Sequence, residues 1–279
     1  MNKIIAILDG LKYNASTVEY AIHLAKQNSA YLVGIFPESV MYTSYTVYDL
    51  VSENPVEQLK ETLNRRDSDR RSKSVSDFET ACRNAAIQYG VHRDKNVTVN
   101  EILHESVFAD LIVIHARETF SHYNEPQPTR FVQHLLAQAT CPVLITPKIF
   151  HPLHKVIHFY DGEPSSVFAL KMLSYALPSS KGLPLEVISI LEENEAKLVP
   201  DGLLMKELVK RHFEKAGFAT VAGDINEKMD KHLRRQKEGT LLVLGAYGRN
   251  QVSRWLKKSL ADHLIKSTNL PVFIAHCRQ

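Results

Sequence analysis

The run LGAYGRNQVSRWLKKS, Leu244 to Ser259, carries the residue types best suited to chemistry in this chain. An apolar stretch, LLVL, ends at Gly245; Gly248 follows, and after nine more residues stand Lys258 and Ser259. Glycine has no Cβ, so its backbone can approach a ligand closely and take positive φ. A hydroxyl residue opening a helix sits among free backbone N–H groups, which suit phosphate. Arg249, Lys257 and Lys258 add charge of the matching sign. The spacing therefore points to an anionic, phosphate-bearing ligand. The same residues also fit a plain turn at a strand end and a solvated basic surface.

Other chemistry finds less support. No G-x-S-x-G elbow, G-x-x-x-x-G-K-[ST] loop, H-E-x-x-H pair or Cys-His spacing stands in the sequence, so no catalytic residue is assigned. The segment HPLHKVIH (His151, His154, His158) has metal-like spacing, but Pro152 and a strand beginning near Lys155 spoil the geometry, and no metal site is assigned. Trp255 and the tyrosines Tyr42, Tyr45 and Tyr48 fit either a ligand surface or cover for an interface between halves, the latter being the preferred expectation.

These residues are positioned by a chain that repeats itself. KIIAILDGLKYNASTVEYAIHLA begins at Lys3, and KVIHFYDGEPSSVFALKMLSYAL begins at Lys155. Each reads as an apolar strand, Asp-Gly, a small-residue loop and an amphipathic helix, with Ser16 and Ser165 as expected N-caps. The ends match too: Ala109 to Pro147 and Gly239 to His276 both give strand, long loop, helix, Pro and a last apolar strand. Between them lie AYLVGIF and LEVISIL as second strands and helices near Val56–Tyr89 and Leu203–Ala216. Short strands are expected at VTVN and ATVAG. Apolar strands alternating with helices predict a parallel sheet covered on both faces. The expectation is an α/β fold of two tandem doubly wound parallel-sheet domains, residues 1–150 and 151–279.

Composition sets outer bounds. The chain has 279 residues, 44% hydrophobic and 23% charged, with a net charge of +3. That suits a soluble globular protein and lends no support to nucleic acid as a partner. The opening apolar run is too short for a signal peptide, and no stretch is long enough to span a bilayer, so no membrane partner is expected. Three scattered cysteines, Cys82, Cys141 and Cys277, read as reduced thiols, and the expected location is cytoplasmic.

The whole pattern resembles a tandem universal stress protein, over nearly all of both halves. That family's adenine-nucleotide motif is Gly, two residues, Gly, nine residues, Gly, then Ser or Thr. Gly245, Gly248 and Ser259 match it, while Lys258 stands at the third glycine, where a lysine either crowds the phosphate or binds it through its ammonium. The resemblance implies an adenine nucleotide alpha-hydrolase-like fold, Asp161 near the adenine and ribose, and Ile190 lining the base. In the first half His115, Glu118, Pro128 and Thr129 fall at the four motif positions, no glycine survives, and only Asp9 matches. Asp9 and Asp161 fit turn-stabilising roles equally well.

The functional expectation is ATP or a related adenine nucleotide, with its associated Mg, held by the second half as a regulatory or signalling ligand, and at most slow hydrolysis. The alternative is an interaction or scaffold protein that binds no nucleotide. The resemblance further implies that CPVLITP and LPVFIAH pair within the chain as a pseudo-dimer; a homodimer of two such chains is compatible with it but not fixed by the sequence.

Overall fold

A computed structural model describes residues 2–38, 43–45, 56–93, 99–121, 124–191, 201–245 and 258–276. In the first half these form β1 (Lys3–Ile7), α1 (Ala15–Asn28), β2 (Tyr31–Ile35), α2 (Val56–Asn84) and β3 (Tyr89–His92), then α3 (Val99–Ser106), β4 (Leu111–His115), α4 (Arg130–Gln138) and β5 (Val143–Thr146). The second half repeats the order with β6 (Lys155–Phe159), α5 (Pro164–Ala176), β7 (Leu185–Leu191), α6 (Gly202–His212) and β8 (Ala216–Ala222). It closes with α7 (Ile225–Leu233), β9 (Thr240–Gly245), α8 (Lys258–Ser267) and β10 (Val272–Ala275).

All ten strands join one sheet in the order β3-β2-β1-β4-β5-β10-β9-β6-β7-β8. Every neighbouring pair is parallel except the central one, where β5 and β10 run antiparallel with Leu144 opposite Phe273. Antiparallel pairing of two last strands relates the halves by an approximate two-fold and buries two apolar edges that would otherwise invite association. Alternation along each strand then sorts the core. Ile5, Ile7, Ile112, Leu242 and Ile274 share one face, and Ile4, Ala6, Val113, Leu241 and Phe273 share the other. Each apolar layer is continuous from one half into the other, so the seam is part of the core.

Four local expectations are corrected. The end of VTVN is helical: Val99 and Asn100 open α3, Val97 and Thr98 lie outside the described residues, and the third strand of the first half is Tyr89–His92. The β-branched residues lose to amphipathic spacing, which buries Ile102 beneath the helix. Each half consequently has a helix between its third and fourth strands, α3 and α7, that the expected order lacked. Neither serine caps a helix. Asn14 caps α1 by accepting the N–H of Thr17 at 3.0 Å, because its side chain reaches the first turn directly. Helix α5 starts with Pro164 after Glu163, Pro being suited to a first helical position that needs no N–H. Tyr45 donates its hydroxyl to Asn64 on α2, within the first half and not at the seam, while Tyr42, Tyr48 and Trp255 lie outside the described residues. Among the described residues no helix is long and apolar enough to cross a membrane.

Candidate functional site

In an open parallel sheet the ligand crevice lies beyond the carboxyl ends of two strands from which the chain winds in opposite directions. Each half has one such point. In the first it falls between β1 and β4, and in the second between β6 and β9.

At the second-half point, Asp161 follows β6 and is 5% exposed. Its Oδ1 accepts the N–H of Glu163 at 3.0 Å, shaping the turn in which Gly162 takes φ +85°. Across from it, Gly245 ends β9. A β-carbon on Gly245 would lie 2.3 Å from the carbonyl carbon and oxygen of Ser165 and 2.4 Å from the amide nitrogen of Ser166. The glycine is therefore demanded by the chain itself, because the first turn of α5 rests on the end of β9.

Loop length explains why only this half needs it. Helix α5 starts at Pro164, directly after the turn residues that follow Asp161, whereas α1 starts at Ala15, well beyond Asp9. The shorter loop brings α5 down over β9. With the longer loop, the first half accommodates an imidazole at the matching place: His115 ends β4 opposite Thr146, as Gly245 ends β9 opposite Ala275.

The first-half crevice is filled by its own side chains. Asp9 is buried, with Oδ1 accepting the N–H groups of Leu11 at 2.8 Å and Lys12 at 3.2 Å. Glu118, at the second-glycine position, is 5% exposed, and burial, reinforced by the charge of Asp9, raises its carboxyl pKa well above the usual range. The Glu118 carbonyl accepts the hydroxyl of Thr129, which also caps α4 by accepting the N–H of Val132 at 3.3 Å. His115 is 7% exposed and has its pKa lowered to about 4, by burial first and then by Arg117 and Lys148. A buried carboxyl with a raised pKa and an imidazole kept neutral stand at the motif positions, and neither brings the positive charge that a phosphate there would need.

Of the residues expected to form the nucleotide site, Asp161 and Gly245 are placed at the carboxyl ends of adjacent strands, Asp161 just beyond β6 and Gly245 at the end of β9. Ile190 lies in β7 opposite Val221. Lys258 and Ser259 are the first two residues of α8, so the hydroxyl residue does open a helix. Gly248, Arg249 and Lys257 lie outside the described residues. The His151–His154–His158 run is dispersed: His151 pairs with Glu238 at 3.1 Å, while His158 is wholly buried in β6. The packing duty of Gly245 was missed in the sequence, although the shorter DGEPSS loop beside DGLKYNAS was its signal.

No family model matches the chain. A universal stress protein of Synechocystis sp. is 24% identical over 168 residues, covering 58% of this chain and 56% of that one. The chain thus spans a little over half the length of that relative. A crystallised universal stress protein from Archaeoglobus fulgidus matches with a TM-score of 0.66 at 15% identity, covering 98% of both chains. A functionally unknown protein from Pseudomonas aeruginosa matches with a TM-score of 0.60 at 13% identity, covering 99% of this chain and 92% of that one. The chain carries the universal stress protein fold along nearly its whole length and resembles one such protein in sequence over more than half of it.

Proposed function

We propose that the second half binds ATP or a related adenine nucleotide at the crevice between β6 and β9, as a regulatory ligand. The observation that carries this reading is the placing of buried Asp161 and Gly245 at the ends of neighbouring strands at the second-half switch point, with α8 beginning at Lys258 and Ser259. In this reading Asp161 and Ile190 face the base and ribose. The backbone after Gly245, Gly248 and the hydroxyl of Ser259 take the phosphates, Arg249 and Lys258 balance their charge, and Mg accompanies them. Gly245 contributes by letting α5 close over the strand end.

Any hydrolysis is slow, because no general base is assigned to the site. Binding to the folded state alone raises the melting temperature with ligand concentration. The test is a thermal-shift titration of ATP with excess Mg. A saturable rise is expected in the wild type and its loss in Gly248→Val; a rise that Gly248→Val leaves intact refutes the assignment.

A second reading, an interaction protein without nucleotide, is favoured for the first half by the burial of Glu118 in its crevice. It extends to the whole chain if ATP leaves the melting temperature of the wild type unchanged.

A further inference from the structure

The antiparallel seam creates a place that neither half possesses alone. Pairing of β5 with β10 sets Ile145 opposite Val272, so the carboxyl end of β5 lies beside the amino end of β10. Between them opens a cleft of about 210 Å³. The first half contributes His115, Arg117, Gln127, Thr146 and Lys148, and the second contributes Lys266, Thr268 and Asn269 from the end of α8 and the turn beyond it.

Its charge is one-sided. Arg117, Lys148 and Lys266 line the cleft, and among the described residues no carboxylate does. None of the three forms an ion pair with another described residue within 4.0 Å. Two other clefts differ: one of about 250 Å³ mixes Asp230 and Glu238 with Arg234, and one of about 490 Å³ beside α5 and α6 is mainly apolar. The positive field of the seam reaches the buried floor, since Arg117 and Lys148 both disfavour protonation of His115.

The floor supplies donors. The His115 ring accepts the N–H of Arg117 at Nδ1, 3.3 Å away, so the neutral ring carries its proton on Nε2. Gln127 straddles the seam, accepting from Arg117 Nε at 3.3 Å and donating to the carbonyl of Lys266 at 3.5 Å. The carboxyl end of α8 opposes an anion with only about half a negative charge. Two of its carbonyls are already engaged: Leu264 accepts both the N–H and the hydroxyl of Thr268, at 3.1 and 2.9 Å, and Lys266 accepts from Gln127. Three full positive charges outweigh that opposition.

We infer that the seam cleft binds a phosphate group, free or as a monoester, held between Arg117 and Lys148 of the first half and Lys266 of the second. Three cations around so small a volume favour a dianion over a single carboxylate, and the Arg117 fork offers paired donors to its oxygens. The site is separate from the proposed nucleotide crevice and stands whether or not that crevice is filled. Its occupant would bridge the halves and tighten the seam.

The test uses the full chain carrying Gly248→Val, which disables the proposed nucleotide site. Inorganic phosphate and, separately, AMP are titrated at constant ionic strength set with sodium chloride, and the melting temperature is followed. A saturable rise with phosphate is expected, and Arg117→Gln or Lys148→Gln should each weaken its half-saturation about tenfold. Saturation with phosphate alone identifies the free ion as the ligand, whereas saturation with AMP as well admits monoesters. A rise no larger than that of the chloride control overturns the site. So does a saturable rise that persists unchanged in the Arg117→Gln/Lys148→Gln/Lys266→Gln variant.

Discussion

Gly245 lies against the backbone of Ser165 so closely that a β-carbon would sit 2.3 Å from its carbonyl carbon. Backbone cannot swing aside as a flexible side chain can, so the strand end and the helix would have to separate. Gly245→Ala should destabilise the protein by about 2–4 kcal/mol, the upper range for overpacking a closed contact. Urea unfolding measures this, and a loss below about 0.5 kcal/mol, the scale of a neutral surface change, would show that α5 yields freely.

Glu118 gives a pH signature of opposite sign to most carboxylates. Its folded pKa is raised, so between the ordinary glutamate value and that raised value the native state holds a proton the unfolded chain has released. Stability from this group is complete at low pH and declines as pH rises through the window. Glu118→Gln, neutral and similar in shape, should therefore be more stable than wild type at pH 8, with the advantage shrinking toward pH 4.5. Paired urea titrations at the two pH values provide the measurement; an advantage independent of pH would contradict it.

His158 and His115 act at the acid end. Burial lowers both rings to about 4 from 6.5, so the unfolded chain binds more protons across that interval and stability falls as pH drops through it. Each ring contributes on the order of 3 kcal/mol to that loss, taking 1.36 kcal/mol per unit. His158→Phe should flatten the fall in denaturation midpoint between pH 6.5 and 4 by roughly half of the combined histidine contribution. An unchanged slope would mean that other groups dominate acid unfolding.

The two aspartates separate turn formation from ligand binding. Asp9 accepts two backbone N–H groups, and Asp9→Ala should cost about 1–3 kcal/mol by leaving them without that partner. The ATP-dependent rise in melting temperature should survive. Asp161→Ala should instead diminish that rise, because Asp161 borders the second-half crevice. Measuring both variants with and without ATP compares them, and equal nucleotide responses would remove Asp161 from the site.

Phe273 is fully buried opposite Leu144 at the centre of the sheet. Phe273→Ala should cost about 3–5 kcal/mol, as for a large core side chain truncated to a methyl. Because both apolar layers run through the seam, the loss should lower a single unfolding transition shared by the two halves. Calorimetry that resolved two transitions, with only the second half affected, would refute the shared core.

The sequence by itself determined the duplicated architecture: strand and helix periods recur in the same order, and periodicity is a local property that survives any arrangement in space. From residue types and spacing it also raised the expectation that the stretch from Gly245 to Ser259 takes a phosphate. What it could not decide were contacts between distant segments. Whether Val99 and Asn100 extend a strand or open α3 depended on what Ile102 could bury. Gly245 looked like a bare approach to a ligand, yet a loop some eighty residues earlier places Ser165 against it. Arg117, Lys148 and Lys266 stand far apart in the sequence, and only the antiparallel closure of β5 on β10 gathers them into one cleft. Packing and electrostatics are set by distance in space, and the tertiary structure alone supplies those distances.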